Sequence, residues 1–392
     1  VLTIQIRTGV TILTKMIPSV TLKKKLERIV HQGHPWVYRD ALVFPRDLAG
    51  GMFVALLGNN EKPLAFGFWD PNGPIALRIL SLTPVHDPSA LVRQRLHSAL
   101  ALRRSWFDEK VTNAFRWIHG EADRLPGIHV DRYADVASVR FDGQGSRAFY
   151  RDLDQTLMEI GGLTKVVDRE KREPPSEEVE VRENGLRFWV DTGRGQKGGL
   201  FLDQRENRAQ VEALSHGKRV LNLFGYTGAF SLYALRGGAV CTDTVDSASP
   251  ALAAARRNFE LNGFSLENAQ FHATDVFKFL EPAIANNVTW DLVISDPPSF
   301  APSQHSVESA KRAYHRLHSL VTKVVAPGGI LCAASCSSHI SRHEFLANLE
   351  TSVQSAGRRF VLKSFAGAGR DHPTLPIFPE GDYLKFAIGS VQ

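Results

Sequence analysis

Cysteine is scarce in this chain: 392 residues hold three, Cys241, Cys332 and Cys336. An odd number without metal-ligand spacing excludes a disulfide framework and a thiolate zinc site, and no metal is expected. At least one thiol is left available for chemistry. Long hydrophobic runs are also missing. None approaches the roughly 18 apolar residues that span a bilayer, and the start shows no basic segment followed by an apolar core and a small-residue cleavage site. The chain is therefore read as soluble and cytoplasmic, with no membrane partner. Internal repeats and long low-complexity tracts are absent as well.

With 43% hydrophobic and 22% charged residues, the chain has the makings of a large core, and its length suits two or three domains. The net charge of +6 favours a polyanionic partner. Basic residues gather ahead of the carboxyl-terminal half, at Lys23, Lys24, Lys25, Arg28, Arg39, Arg93, Arg95, Arg103, Arg104 and from Lys165 through Arg172. Trp36, Tyr38, Trp69, Trp106 and Trp117 lie among them. Phosphate contacts plus base-stacking surfaces would come from such a mixture.

Residues 1–18 are a Thr-rich lead-in to which no role is assigned. From residue 19 to 86, short β-type runs broken by Gly and Pro predict a small barrel. Residues 87–184 read as a mixed α+β unit. It has a helix from Ser89 to Phe107 carrying Leu91, Leu96, Leu100 and Leu102 with arginines on its other faces, and a second helix near Phe149 to Ile160. The charged stretch Glu170 to Arg182, with Pro174 and Pro175, reads as a linker. Over 185–392 strands and helices alternate, predicting a parallel doubly wound sheet, with Pro327-Gly328-Gly329 separating a helix from the strand Ile330–Ser335.

The most informative stretch is Leu292-Val293-Ile294-Ser295-Asp296-Pro297-Pro298-Ser299-Phe300. An apolar run ending in Asp-Pro-Pro stops a buried strand abruptly and leaves a carboxylate at the edge where open α/β sheets bind ligands. Upstream, the strand Val220–Leu223 runs into Phe224-Gly225-Tyr226-Thr227-Gly228, whose glycines let the backbone approach a ligand at a helix N-terminus. This turn has neither dinucleotide spacing nor a phosphate-gripping lysine, so its ligand is not phosphate-rich. Asp246 ends the next strand, where a carboxylate accepts ribose hydroxyls, and Asp275 follows the third, placed to meet an adenine amine. Either aspartate taken alone is more often a cap or turn residue.

This order resembles the class I S-adenosylmethionine-dependent methyltransferases. Gln196-Lys197-Gly198-Gly199-Leu200-Phe201-Leu202-Asp203-Gln204-Arg205, Ser335-Cys336-Ser337 and the stretch Asp371 to Lys385 narrow the likeness to the large-subunit ribosomal RNA cytosine-5 methyltransferases with an amino-terminal PUA-like domain. The resemblance implies a PUA-like barrel, a mixed α+β middle domain and a Rossmann-like methyltransferase domain. It implies S-adenosylmethionine held by Phe224, Gly225, Tyr226, Thr227, Gly228, Asp246, Ser247, Asp275, Val276 and Asp296. Pro297, Pro298, Phe300, Lys197 and Arg205 would meet the substrate. The partner would be RNA, 23S ribosomal RNA or a large-subunit assembly intermediate; the sequence does not give the oligomeric state, a homodimer being one option. Gly198, Gly225 and Ser338-His339 depart from the family's usual Thr, Ser and Gly-Leu, which bears on loop geometry and target choice more than on cofactor use.

In such enzymes a cysteine thiolate adds to carbon 6 of cytosine and loads electron density onto carbon 5. Cys336, after the strand Ile330–Ala334, faces the same sheet edge as Asp296 and is the expected nucleophile, while Cys332 and Cys241 belong to buried strands. Asp296 would hydrogen-bond the base near nitrogen 3. The base that removes the carbon 5 proton is not identified; Tyr314, His315 and His339 are near in sequence. Two other readings remain: guanine methylation, which needs no thiol, and an RNA-binding assembly factor with a vestigial pocket.

Overall fold

The computed structural model describes residues 17–170, 178–193, 199–301 and 303–392; residues 1–16, Pro174, Pro175 and Lys197 lie outside that set. The chain divides into two compact units. One consists mainly of the residues before Glu180, and the other of Glu180–Asp191, Gly195–His372 and Glu380–Gln392.

The first unit opens with strands β1 (Ser19–Leu22), β2 (Trp36–Tyr38), β3 (Leu42–Val43), β4 (Phe53–Leu57), β5 (Pro63–Trp69) and β6 (Ile75–Ser81). They form one sheet in the order β2-β6-β5-β4-β1-β3. Its two edge strands are joined only by the turn Arg39–Ala41. A link that short spans about 10 Å, so the sheet has to curl until its edges nearly meet. Gly67 makes the β5–β6 approach possible, since a Cβ there would sit 2.0 Å from the Arg78 carbonyl oxygen.

A four-stranded sheet, order β10-β9-β8-β7, completes this unit with β7 (Ala114–His119), β8 (Ile128–Tyr133), β9 (Val136–Phe141) and β10 (Lys165–Asp168). The helix Pro88–Trp106 is capped by Asp87, whose carboxylate accepts from the Ala90 amide, and Pro88 stands in its first turn. Leu96 and Leu100 are buried as the spacing predicts, but Leu102 is exposed and the arginines are not confined to the outer faces. Arg95 is buried with its guanidinium donating to the Leu80 carbonyl at 2.8 Å. Arg103 is buried in a two-pronged pair with Asp123 at 2.6 and 2.7 Å. Trp69 and Trp117 are core residues too, so these four side chains have no surface to offer RNA. The helix expected near Phe149 to Ile160 is Leu153–Gly161, and a separate short helix, Gln144–Phe149, precedes it. Phe68 of the first sheet stacks on Phe149 at 4.5 Å and Arg78 meets Glu121 at 3.0 Å, so residues 19–86 and 87–179 share one unit, while residues 180–184 belong to the other.

Residues 178–182, read as linker, begin the hairpin β11 (Glu178–Glu183) and β12 (Leu186–Asp191). Its turn is Asn184-Gly185, with φ of 49° and 82°, the left-handed pair that a two-residue hairpin turn requires. The seven-stranded sheet follows, with β13 (Arg219–Leu223), β14 (Cys241–Asp246), β15 (Ala269–Ala273), β16 (Trp290–Ser295), β17 (Val325–Ser335), β18 (Phe360–Ala366) and β19 (Lys385–Val391). The order is β15-β14-β13-β16-β17-β19-β18. Strands β13 to β17 run parallel, and β19 is antiparallel to both its neighbours, so the sheet is mixed rather than purely parallel. Pro327-Gly328-Gly329 does not precede β17 but lies inside it as a bulge, between the pairings Trp290 with Val325 and Leu292 with Ile330.

Alternate residues of β16 enter opposite cores: Val293 joins Leu221, Leu331 and the helices Val307–Lys323 and Arg342–Ser355, while Leu292 and Ile294 join Val220, Phe230 and Cys332. Cys332 is thus a core residue, and burial pushes its thiol well above the ordinary range. Strand order reverses between β13 and β16, which opens a crevice at their carboxyl ends. Among the described residues no helix is long and apolar enough to cross a membrane.

Candidate active site

A cavity of ≈ 580 Å³ occupies that crevice. Its floor is the turn after β13. Gly225 does not take a left-handed conformation; Phe224 and Tyr226 on either side do, with φ of 58° and 47°, and so does Gly228 at 75°. Non-glycine residues held there cost of order 1–3 kcal/mol each and concentrate at ligand sites. Gly225 is required for closeness instead: a Cβ would meet Thr244 Cγ2 at 2.4 Å. Gly228 does not line the cavity. It caps the helix Ala229–Arg236, and a Cβ on it would press on Ala255 at 3.0 Å.

Asp246, at the end of β14, fixes this turn from the side. One carboxylate oxygen accepts the Tyr226 amide at 2.9 Å and the other the Ala248 amide at 2.8 Å. A carboxylate has about four acceptor sites, so two remain for vicinal hydroxyls. Asp275 is an N-cap: its Oδ1 accepts from Phe277 and Lys278 amides at 2.9 and 3.2 Å. Capping leaves Oδ2 for a ligand amine, so the cap and ligand readings of this residue are compatible. Ser247, Val276 and Thr227 also line the cavity.

Asp296, Pro297 and Pro298 form the opposite wall, and Cys336 joins them from the end of β17. The group that aims Asp296 has no signature in the sequence. Gln204 Nε2 donates to Asp296 Oδ2 at 2.9 Å, while its own Oε1 accepts from Asn207 at 2.6 Å, which sets the amide's orientation. A partner 92 residues away leaves no local signal. In the sequence, proximity alone connects Tyr314 with the site. It is buried, donates to Ser335 Oγ at 3.0 Å, and burial raises its phenol well above the ordinary value, with the charges of Cys336 and Asp296 adding to the rise.

Two residues expected at the substrate, Arg205 and Phe300, fall elsewhere. Arg205 is buried between Glu183 (3.4 Å) and Asp371 (3.1 Å), where a guanidinium cannot reach RNA. Phe300 lies on the Tyr314 ring at 4.8 Å rather than along the cavity. Lys197 lies outside the described residues. Among the described residues one trio with metal-type ligands exists, Glu121, His129 and Asp142 in the first unit. Glu121 already accepts from Trp36 at 2.7 Å and Arg78 at 3.0 Å, and His129 faces Asp142 at 3.1 Å.

The lining fits a cationic nucleoside. Among the described residues three carboxylates (Asp246, Asp275, Asp296) face it, apolar walls come from Leu200, Phe201 and Pro297, and the single basic side chain, Arg208, is bound to Glu183 at 2.9 and 2.8 Å. A phosphate-rich ligand would meet the wrong charge, whereas a sulfonium would not.

Residues 169–368 match the S-adenosylmethionine-dependent methyltransferase family, and residues 20–82 match a PUA-like domain. The chain is 36% identical over 392 residues to a ribosomal RNA large subunit methyltransferase of Deinococcus radiodurans, covering 93% of this chain and 95% of that protein. It is 33% identical over 395 residues to ribosomal RNA large subunit methyltransferase I of Alteromonas mediterranea, covering 96% and 99%. Among solved structures it shares its fold with a methyltransferase complexed with S-adenosylhomocysteine, at TM-score 0.84 and 21% identity, covering 95% of this chain and 100% of the other. The cavity's donor set and this end-to-end likeness agree: the chain belongs to the S-adenosylmethionine-dependent methyltransferase family, in the group that carries an amino-terminal PUA-like domain, and S-adenosylmethionine is its cofactor.

Proposed function

We propose that this protein methylates carbon 5 of a cytosine in large-subunit ribosomal RNA, the 23S molecule or an assembly intermediate containing it, through a covalent bond between Cys336 and carbon 6. The RNA class follows from the names of relatives that match it nearly end to end. What supports the chemistry is a single observation: Cys336 and Asp296 line the same cavity as the cofactor residues.

Bound S-adenosylmethionine supplies an electrophilic methyl group. Phe224 to Thr227, Asp246 and Asp275 hold its nucleoside part. Asp296, steadied by Gln204, hydrogen-bonds the cytosine near nitrogen 3 and favours its protonation. The Cys336 thiolate forms a bond to carbon 6, and the displaced π pair makes carbon 5 nucleophilic. Once carbon 5 is methylated, a base takes its proton, the double bond returns and the sulfur–carbon bond breaks. The target nucleotide has to leave its stack to enter the cavity.

Cys336→Ala should abolish methyl transfer while leaving cofactor affinity near wild type, and RNA carrying 5-fluorocytosine at the target should become covalently attached to the wild-type protein. Normal methylation by Cys336→Ala would replace this reading with direct transfer to a guanine nitrogen. The reading includes a homodimer, which light scattering on the purified chain tests; a monomer mass removes it.

A further inference from the structure

Lys385 opens β19 directly across from Ser335, the residue before Cys336. It is fully buried. Its ammonium donates to the carbonyls of Ser337, the residue after Cys336, and of Tyr383, the latter at 2.8 Å. An ammonium carries three donors, so one remains. No carboxylate among the described residues lies within ion-pair distance of it. The two acidic groups in its field are engaged elsewhere, Asp382 with Arg342 at 2.8 Å and Glu344 with Lys311 at 2.8 Å. A buried cation without a counter-ion costs several kcal/mol, and an apolar side chain of the same length would be the more stable filling for a purely structural position.

We propose that the missing counter-ion is the Cys336 thiolate: Lys385 is a positioning residue that holds the sulfur in its ionised form beside the cavity. This rests on the reading of Cys336 as the nucleophile. The thiol proton passes to water, the negative charge stays on sulfur, and the ammonium keeps its proton throughout. Burial lowers Lys385 to about 8, while the charge of Cys336 acts to raise it; the same attraction, seen from the sulfur, favours the thiolate. Tyr314 feels the charge of the sulfur, and Asp296 lines the same cavity. Tyr314 stays a neutral phenol, and the Asp296 carboxylate, which disfavours the thiolate, is partly offset by its bond from Gln204.

The test is iodoacetamide alkylation of the full chain, without RNA or cofactor, from pH 5.5 to 10, with mass spectrometry of the separate cysteine peptides. The wild-type Cys336 midpoint should fall at least about one pH unit below the ordinary thiol value of about 8.5. Lys385→Met should raise it by about one unit and slow alkylation at pH 7 roughly tenfold, and Lys385→Arg should keep it near wild type. Cys241 serves as the internal reference. A Lys385→Met midpoint matching wild type, or a wild-type midpoint at or above the ordinary value, overturns the proposal. If Lys385→Met disturbs Cys241 too, the wild-type midpoint alone decides. Methylation by Cys336→Ala is read separately, so a shifted midpoint with normal methylation would sink the nucleophile and spare the pairing.

Discussion

Asp246 shows how much one side chain can be asked to do. Its two oxygens already receive the amides of Tyr226 and Ala248, so it shapes the turn before any ligand arrives. Asp246→Ala should therefore weaken S-adenosylmethionine by about 1.5–3 kcal/mol, tenfold or more. Asp246→Asn should be nearly as damaging, because an amide NH₂ must then face one of the two N–H groups. Calorimetry giving wild-type affinity for either variant would remove Asp246 from the site. His318 is a different kind of residue: fully buried between Tyr314 and Phe345, with neither ring nitrogen hydrogen-bonded. Burial, and then the charge of His315, lower it to about 3. Its unfolded value is near 6.5, so the unfolded chain binds the extra proton first as pH falls. The stability it contributes is whole above about pH 6.5 and is lost progressively toward pH 3. Between pH 7 and 4.5 the loss is on the order of 2–3 kcal/mol. Urea midpoints at those two pH values should lie closer together in His318→Phe than in wild type; an equal gap refutes the assignment.

At the scale of elements, the turn after β13 and the cap of the helix Val276–Ala285 carry the cofactor site. The turn is tight because Gly225 sits against Thr244. Gly225→Ala should destabilise the protein by about 1–3 kcal/mol through overpacking and weaken cofactor binding. Thr244→Ser, which deletes the obstructing methyl yet keeps a hydroxyl for Ser231 (2.7 Å in wild type), should restore much of both. Additive effects in the double variant would show the contact is unimportant. Asp275 combines a structural and a binding role that substitution can separate. Asp275→Ser keeps an N-cap and should lower only cofactor affinity, whereas Asp275→Ala should also cost about 0.5–2 kcal/mol of stability. Equal melting temperatures for the two would argue against the capping contribution.

For the whole molecule, the basic residues of the first unit divide into two classes. Arg95 and Arg103 are spent on internal partners, while Lys23, Lys24, Lys25 and Arg28 are exposed around β1. If the proposed RNA substrate is gripped there, replacing the three lysines by glutamate should weaken RNA binding, and each lost phosphate contact should flatten the salt dependence by about 0.7–0.9 in log–log slope. Cofactor affinity, which belongs to the other unit, should not change. Unaltered RNA affinity across a salt series would move the RNA-binding surface elsewhere.

The strand-end motifs were legible in the sequence because they are local. Strand, turn and helix signals fall within a few residues of Gly225, Asp246, Asp275 and Asp296, and backbone preferences and apolar runs suffice to place each at a sheet edge. Gathering Cys336 and Asp296 at one cavity was also foreseeable once parallel strands were recognised, since such strands deliver their ends to the same side. What the tertiary structure alone decided concerns partners far apart in the chain. Arg205 reads as a substrate contact until Glu183 and Asp371 close around it. Arg95 and Arg103 read as surface charge until the fold supplies the Leu80 carbonyl and Asp123. Gln204 and Lys385 give no sign of their positions until β16, β17 and β19 bring Asp296 and Ser337 to them. A side chain's type and its neighbours in sequence report what it prefers; its burial and its electrostatic partner are set by residues it meets only after the sheet has formed.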